Sequence, residues 1–320
     1  MQSEFPIQSY TEADADVLGA RMHYLHGGSG RPVVLIHGLV GSSSIWRRNI
    51  AALARESSVY AIDLLNMGKS QRIPGLNATL EATADRVAVF MDSVGIDRAD
   101  LVGHSHGGAV ALMLAARHPE RVRGLILFAP ANPYSHFKQL LLRIYSTPLG
   151  RLAAVVSPYV PVRLQLLTLG RMYGDAGRIP KGSLSGYTDG MRVPGTIRHM
   201  LNIVRGWSAD MAALKAALPR VASVPTLLVW GDRDSTVDPA SAMQLQRVLW
   251  NSELRIVRGG GHIVCEELPK ESDRIMLDWM RRDLGNGPLA SGVEFNSASC
   301  LPRGKRPASV PARAKTSAAI

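Results

Sequence analysis

The stretch LVGHSHGGAV (101–110) decides how this chain folds, because it joins two kinds of local pattern. The apolar run ADLV (99–102) predicts a strand, and GGAVALMLAARH (107–118) predicts a helix. Between them, Gly103 and Gly107 flank Ser105 in the pattern G-x-S-x-G. In a strand–turn–helix setting this pattern predicts a sharp turn that presents the serine at a helix N-terminus, where the helix dipole favours developing negative charge.

Two other interpretations of this stretch remain open. A glycine-rich turn between a strand and a helix can carry a serine that has no chemical role. A metal site formed by His37, His104 and His106 is disfavoured, because the turn separates the two nearer histidines and no Asp, Glu or Cys lies nearby to complete a ligand set. We therefore expect no metal and no cofactor, and we expect His104 to be a structural, hydrogen-bonded residue.

Apolar runs of strand length alternate with helical patterns on both sides of this stretch. This alternation is typical of an α/β fold, a parallel sheet that is covered on both faces by helices. The segment VLGARMHYLHGG (17–28) alternates in polarity and predicts an antiparallel edge strand. The other predicted strands are 31–38, 57–63, 99–105, 122–130, 224–232 and 252–260, and the predicted helices are 42–56, 80–95, 107–118, 239–250 and 271–284.

The regular alternation breaks twice, which divides the chain into three parts. Residues 1–130 and 216–284 form the predicted α/β core. Residues 131–215 read as short amphipathic helices broken by Pro and Gly, and we expect them to form a helical cap over one edge of the sheet. Residues 285–320 are rich in Ser, Ala, Pro and Arg and predict a disordered basic tail.

Composition excludes several classes of protein. The 320 residues carry a net charge of +11, yet no basic run exceeds two residues and no nucleic-acid-binding pattern accompanies the charge. No apolar stretch approaches the roughly 18 residues of a membrane span, and MQSEFPIQSY (1–10) lacks the features of a signal peptide. The two cysteines give no disulfide framework. We expect a cytoplasmic protein whose partner is a small molecule, and the oligomeric state cannot be read from the sequence.

A serine nucleophile needs a base, and the base needs a carboxylate to orient it. His262 follows three glycines at the end of the last predicted strand, where it would serve as the base. The preceding strand ends in LLVWGDRDSTVDP, which offers Asp232, Asp234 and Asp238. Asp238 precedes Pro239 and reads as a helix cap. We favour Asp234, since the loop that carries it can turn towards the histidine.

An oxyanion hole requires two backbone N–H groups. One is expected from His106, the residue after the serine, and the other from Leu39 after the strand that ends in VVLIHG.

At this point the sequence resembles the α/β-hydrolase superfamily. The blocks LIHGLVGSSSIW, GHSHGG, LLVWGDRD and GGGHIVCEELP follow the order of the family's motifs, and the resemblance covers roughly residues 15–285. In AIDLLNMGKSQR, Asn66 and Met67 replace the family's usual small or aromatic residues. The resemblance implies the fold, the triad Ser105–Asp234–His262 and a helical cap. A serine at the turn excludes the branches that use an aspartate nucleophile.

Four residues are candidates for substrate binding: His37, Trp46, Asn132 and Tyr134. Ordinary packing is the alternative for each of them, and the side chain of His106 is a further candidate for the pocket floor. The expected activity is hydrolysis of an ester or thioester of a small to medium, partly hydrophobic substrate through an acyl-enzyme, as in carboxylesterases and lipases. A carbon–carbon bond hydrolase of ring-cleavage products is the alternative, as is a non-hydrolytic or ligand-binding protein of the same fold.

Overall fold

The computed structural model describes residues 10–135, 144–145 and 147–282. In this part of the chain eight strands form one sheet in the order β1-β2-β4-β3-β5-β6-β7-β8. β1 and β2 pair with each other, and β2 with β4, in antiparallel fashion, and all the other pairs are parallel. The strands are β1 Thr11–Val17, β2 Ala20–Gly27, β3 Arg31–Ile36, β4 Ser57–Ile62, β5 Ala99–His104, β6 Val122–Phe128, β7 Thr226–Gly231 and β8 Ser252–Val257.

The predicted α/β fold with a mostly parallel sheet is confirmed. The central strands are largely apolar because helices cover both faces. Every residue of β5 and β7 is buried, including Asp100 of β5, whose carboxylate pairs with Arg31 and Arg123. The segment 17–28 is antiparallel, as expected, but it is not the edge strand. That position belongs to β1, whose sequence TEADADV is largely polar and half exposed, so apolar periodicity gave little sign of it.

Helices pack on the two faces of the sheet, around two apolar clusters. The helix after the serine, α3, is the most enclosed, and its residues 106–116 are all buried. The described helices are α1 Ile50–Leu53, α2 Leu80–Ser93, α3 His106–Arg117, α4 Pro148–Val156, α5 Val162–Gly170, α6 Ser183–Arg192, α7 Thr196–Ala217, α8 Ala240–Val248, α9 Val264–Glu267 and α10 Pro269–Met280.

The prediction of one helix over 42–56 is wrong. The segment forms a 3₁₀ turn over Ser43–Trp46 and then the single-turn helix α1. The backbone N–H of Ser43 donates to Oδ1 of Asp63 at 2.6 Å, and Oγ of Ser42 accepts from the N–H of Ser44. These contacts, one of them to a distant loop, satisfy backbone groups at the start of the segment.

The proposed division into core, cap and tail stays a prediction. Helices α4 to α7 occupy most of the segment predicted as a cap, while residues 136–143 and 146 lie outside the described residues. The predicted tail, 285–320, also lies outside them. In the described part of the chain no single helix is long and apolar enough to cross a bilayer, although the bent pair Pro148–Tyr159 and Val162–Gly170 together meets that length and composition.

Candidate active site

Ser105 occupies a strained turn between β5 and α3. Its backbone has φ 53° and ψ −119°, a conformation that a residue with a side chain rarely adopts. Hydrogen bonds on both sides hold this conformation, since the Ser105 N–H donates to the carbonyl of Phe128 and its own carbonyl accepts from the N–H groups of Gly108 and Ala131. These backbone hydrogen bonds therefore hold Ser105 in a conformation that is unfavourable for an isolated serine.

The glycines of the turn are required by close backbone contacts. A Cβ on Gly103 would lie 2.6 Å from the carbonyl oxygen of Gly107. A Cβ on Gly107 would lie 2.4 Å from the carbonyl oxygens of Ile36 and His37. Both distances are shorter than any real Cβ contact, so α3 can pass this close to β3 and β5 only with glycine at these positions.

His262 and Asp234 form a buried pair at the ends of neighbouring strands. Nδ1 of His262 lies 2.8 Å from Oδ2 of Asp234, and the two residues are 2% and 7% exposed. The other carboxylate oxygen, Oδ1, accepts from the N–H groups of Thr236 and Val237 at 2.7 and 2.9 Å. These bonds fix the carboxylate, which leaves Nε2 of the imidazole as the free ring nitrogen.

The two rejected carboxylates have other partners. Oδ1 of Asp232 accepts from the N–H of Gly259 at 2.6 Å, which ties the loops after β7 and β8 together. Oδ1 of Asp238 accepts from the N–H of Ala240 at 2.8 Å, at the beginning of α8. Asp238 therefore caps the helix, as its position before Pro239 suggested.

The glycine loop before His262 is pinned by its neighbours. The N–H of His262 donates to the carbonyl of Met172 in the predicted cap at 2.7 Å, and the carbonyl of His262 accepts from Nε2 of His104 at 3.0 Å. A Cβ on Gly261 would lie 2.3 Å from the backbone nitrogen of Gly174. The glycines thus serve close packing between this loop and the cap.

Glu267 joins the same two loops through its carboxylate. Oε2 accepts from the N–H groups of Gly261 and Gly174 at 2.8 and 3.0 Å. Oε1 accepts from the N–H of Asp175 at 3.0 Å and from Nη1 of Arg178 at 3.3 Å. One buried side chain therefore positions the loop of His262 against the cap.

Glu266 makes a second set of bonds to the cap and is fully buried. Its Oε1 accepts from Nη1 of Arg47 at 2.5 Å and from Oγ of Ser183 at 2.8 Å. Its Oε2 accepts from the hydroxyls of Tyr173 and Tyr187, both at 2.8 Å. Burial, followed by the charge of this carboxylate, raises the pKa of both phenols, so they remain neutral donors. In sequence the two glutamates are only an acidic pair near the start of a helix, which gives no indication of these distant partners.

The two expected oxyanion amides lie beside the serine. Within the described residues, the N–H groups of Leu39 and His106 have no hydrogen-bond acceptor. The loop before Leu39 contacts the turn, since a Cβ on Gly38 would lie 3.2 Å from Cβ of Ser105. Two unpaired donors at a helix N-terminus and an adjoining loop are suited to binding an oxyanion.

The histidines that flank the serine differ in their surroundings. His104 is hydrogen-bonded beneath the turn, as expected, and burial with nearby His262 holds its pKa well below the usual range. Both ring nitrogens of His106 lack a protein partner. Burial, with smaller contributions from His37 and His199, lowers the pKa of His106 to about 3, so the ring is neutral. His199 of α7, which no sequence motif links to the serine turn, lies near this ring.

A small cavity of about 10 Å³, with room for roughly one water molecule, lies beside His106. His199 and Arg86 line it together with apolar side chains that include Met67 and Ile203. Burial, followed by the charge of Arg86, lowers the pKa of His199 to about 4. The side chain of His106 therefore points into the interior beneath the turn, towards α7.

The four predicted substrate contacts stay predictions, and the structure gives three of them neighbours within the protein. In His37, Nδ1 donates to the carbonyl of Gly38 at 2.7 Å and Nε2 accepts from the N–H of Leu64 at 3.1 Å, so both nitrogens are occupied. Trp46 is fully buried and packs edge-on against Phe128.

The third of these residues is Asn132, which is 1% exposed. Its Nδ2 donates to the carbonyl of Pro130 and to Oγ of Ser241. Tyr134 is half-buried against the apolar cluster around α3, and its role stays a prediction. Polar atoms of His37 and Asn132 are thus hydrogen-bonded to protein, whereas the ring of Trp46 packs on Phe128 and its Nε1 has no partner among the described residues.

A wide groove lies away from the serine. It measures 830 Å³, and its lining includes Ser42, Lys69, Arg72, Gly186 and Asp189 but neither the serine nor the His–Asp pair. Among residues 10–135, 144–145 and 147–282, no cluster of three or more His, Cys, Asp or Glu has the arrangement of a metal site. The groove therefore shares no lining residue with the serine turn or the His–Asp pair.

A mostly parallel sheet with a sharp strand–serine–helix turn defines the class of protein as one with the alpha/beta hydrolase fold. The chain belongs to that family, because the family profile described as "alpha/beta hydrolase fold" matches residues 31–269. An uncharacterized protein of Mycobacterium tuberculosis is 26% identical over 321 residues, which cover 95% of this chain and 90% of that protein.

Two further proteins are similar along most of the chain. A cis-3-alkyl-4-alkyloxetan-2-one decarboxylase of Shewanella oneidensis is 25% identical over 313 residues, which cover 90% of this chain and 95% of the relative. The solved structure of a meta-cleavage product hydrolase from Pseudomonas fluorescens superposes with a TM-score of 0.70 at 22% identity and covers 84% of this chain and 97% of that one. At that identity the structural likeness shows the fold alone.

Proposed function

We propose that this protein is a serine hydrolase that cleaves an ester or thioester through an acyl-enzyme. The observation that carries the proposal is the 2.8 Å contact between Nδ1 of His262 and Oδ2 of Asp234, on the same sheet edge as the strained Ser105. A carboxylate that holds Nδ1 keeps the proton there and leaves Nε2 as a base for a serine hydroxyl. Membership in the alpha/beta hydrolase family supports a hydrolytic reaction.

In the proposed mechanism Oγ of Ser105 attacks the acyl carbonyl while Nε2 of His262 takes the hydroxyl proton. The negative charge that forms on the carbonyl oxygen is bound by the N–H groups of Leu39 and His106. Asp234 stabilises the imidazolium, which then protonates the leaving alcohol or thiol. Water, deprotonated by the same imidazole, attacks the acyl-enzyme, and the proton returns to Oγ of Ser105 as the acid leaves.

The proposed substrate is small to medium in size and partly hydrophobic, and no cofactor takes part. Apolar residues predominate in the predicted cap, and basic residues accompany them, which supports this substrate class. We also propose a cytoplasmic location, which the buried, free thiol of Cys265 supports.

The test is labelling and turnover with a matched variant. The wild-type protein should react with a fluorophosphonate probe and release p-nitrophenol from p-nitrophenyl acetate or butyrate. Ser105→Ala should abolish both reactions while its far-UV circular dichroism and melting temperature stay close to wild type. Asp234→Asn should lower kcat by about 10³- to 10⁴-fold, because the imidazole loses the partner that fixes its tautomer. Probe labelling that survives Ser105→Ala would refute the assignment.

Carbon–carbon bond hydrolysis is the second candidate, supported by the fold shared with the meta-cleavage product hydrolase. The segment HGLVGSS (37–43) argues against it, since it lacks the proline-rich oxyanion block that such enzymes commonly show. Parallel assays with a 2-hydroxy-6-oxo-dienoate and with p-nitrophenyl butyrate decide between the two. The Shewanella relative is named as a decarboxylase, which makes a non-hydrolytic reaction a third candidate. Such a reaction predicts that no hydrolysis product is released from either compound.

A further inference from the structure

Two consecutive helices of the predicted cap expose large apolar side chains. Six residues of α4, α5 and the link between them are 52–75% exposed: Leu149, Leu152, Tyr159, Val162, Leu164 and Leu167. We call these six residues the cap apolar face. Exposed apolar residues are usually scattered singly on a protein surface, and a contiguous group indicates an interaction surface.

These helices contribute little to the interior of the protein. Gly150 is the only buried residue of α4, and Gln165 and Leu169 are the only buried residues of α5. By contrast, α3 buries every residue from 106 to 116. The apolar residues of α4 and α5 are therefore not explained by packing against the described residues of this chain.

The charged side chains of the chain segment that carries the cap apolar face are all basic, and the Arg192–Asp189 ion pair of α6 lies beside Tyr159. No Asp or Glu occurs between Glu120 and Asp175, whereas Arg151, Arg163 and Arg171 lie exposed on or just after α4 and α5. None of these three arginines forms an ion pair with a residue in the described part of the chain. Apolar side chains flanked by unpaired arginines match a surface that offers acyl chains beneath anionic headgroups.

Two other occupants fit this charge poorly. The C-terminal residues 285–320 carry five Lys or Arg and one Glu, so they would be repelled by the arginines. A two-fold dimer would place the same patch of each copy against the other and bring the arginines into apposition. An anionic partner removes this repulsion, because each guanidinium then faces a phosphate.

The geometry favours a position on a bilayer over a passage through it. The two limbs Pro148–Tyr159 and Val162–Gly170 are bent by 107° at the break between them. Each limb is far shorter than the roughly 20 residues that a spanning helix needs. Short apolar helices with basic flanks lie in the interface, with the arginines at the depth of the headgroups.

We propose that the cap apolar face docks this protein on an anionic lipid surface. The docking goes beyond the proposed hydrolase activity and does not depend on it, since none of the six residues belongs to the proposed triad or oxyanion hole. The same surface would bring the cap, and the site beneath it, close to apolar molecules dissolved in a membrane.

The experiment is co-sedimentation with vesicles in a Ser105→Ala background, so that no lipid ester is consumed. Vesicles of equimolar phosphatidylglycerol and phosphatidylcholine should bind the protein, and vesicles of phosphatidylcholine alone should bind it much more weakly. Leu152→Ser/Leu167→Ser should weaken binding at least about a hundredfold, since each buried leucine contributes more than a factor of ten. Leu18→Ser is the matched control, because Leu18 is 75% exposed on the β1–β2 turn.

A second pair of variants tests the charge. Arg151→Gln/Arg163→Gln should weaken binding about fivefold per arginine, and added NaCl should weaken wild-type binding. Arg247→Gln on α8, equally a surface arginine, should have no effect. These variants keep the apolar surface, so they test the proposal even if the leucine variants fail to fold.

Three results would overturn the proposal. The first is equal binding to both kinds of vesicle. The second is a wild-type dimer in sedimentation equilibrium that dissociates in the leucine variants. The third is bound protein that alkaline carbonate does not extract from the vesicles, which indicates a spanning segment. Hydrolase activity is measured separately on p-nitrophenyl butyrate without vesicles, so failure of docking and failure of the proposed activity remain distinguishable.

Discussion

Replacing Glu267 with glutamine should weaken the attachment of the cap to the loop of His262. The glutamate accepts through both oxygens, from Gly174 and Gly261 at Oε2 and from Asp175 and Arg178 at Oε1. A glutamine keeps one acceptor oxygen and turns the other position into a donor. Whichever way the amide is oriented, at least one backbone N–H then faces an N–H₂ group.

The expected cost follows from the less damaging orientation. With the oxygen towards Gly174 and Gly261, the bond from Asp175 is lost, and a hydrogen bond to a charged acceptor contributes about 1.5–3 kcal/mol. Arg178, whose side chain is 39% exposed, loses an ion pair that adds at most about 1 kcal/mol. The two remaining bonds weaken because the acceptor is no longer charged. Glu267→Gln should therefore lower the free energy of unfolding by about 2–4 kcal/mol.

The measurement is urea denaturation at pH 7.5 together with kcat/KM on p-nitrophenyl butyrate. Glu271→Gln is the matched control: it makes the same chemical change in a salt bridge with Arg274 that is largely exposed, and should cost less than about 1 kcal/mol. Activity should fall in Glu267→Gln even at temperatures where the protein is fully folded, because the loop of His262 loses an anchor. Unfolding within about 0.5 kcal/mol of wild type, with unchanged kcat/KM, would refute the reasoning.

Four further changes have defined outcomes. His106→Met should raise the free energy of unfolding by about 1–3 kcal/mol, because two buried ring nitrogens without a protein partner disappear. The variant keeps the backbone N–H of residue 106, so kcat should be retained. A large loss of kcat would show that the imidazole touches substrate. Burial raises the pKa of Asp273 to about 6, above about 3.9 in the unfolded chain, so the folded state binds more protons and stability declines as pH rises from about 4 to 6. Asp273→Asn should remove that slope and add about 1–3 kcal/mol at pH 7.5 in denaturant titrations. Gly107→Ala should cost at least about 3 kcal/mol, since its Cβ would meet two carbonyl oxygens at 2.4 Å, and a melting temperature equal to wild type would contradict this. Tyr173→Phe removes one donor to the carboxylate of Glu266 and should cost about 1–3 kcal/mol by urea denaturation, with no loss expected if that bond is absent in solution.

Much of the core could be predicted from local pattern. Strands that are buried on both faces are largely apolar, so β3 and β7 are visible as runs of Val, Leu and Ile. The carboxyl ends of parallel strands meet at one edge of a sheet, which is why residues after three separate strands were predicted to approach one another. The prediction of the pair Asp234–His262 needed only this rule and the spacing of the motifs.

The orientation of individual side chains could not be predicted from the sequence. His37, Trp46 and Asn132 follow strand ends where a substrate contact is plausible, but each side chain turns into the protein and meets partners there. The edge strand β1 was missed for a related reason. A strand with one exposed flank has few apolar residues, and its hydrogen bonds to β2 stabilise it in place of burial.

The sequence by itself determined the sheet, the serine turn and the edge at which the chemistry is proposed, because strand burial and tight turns restrict residue type within a few positions. Only the tertiary structure decided how the predicted cap is held. The carboxylates of Glu266 and Glu267 reach donors about ninety residues earlier, from Tyr173 to Tyr187, and a buried carboxylate looks the same in sequence as a solvated one. The partners of each carboxylate depend on how two segments that are distant in sequence pack together. The local pattern of apolar and polar residues does not predict that packing.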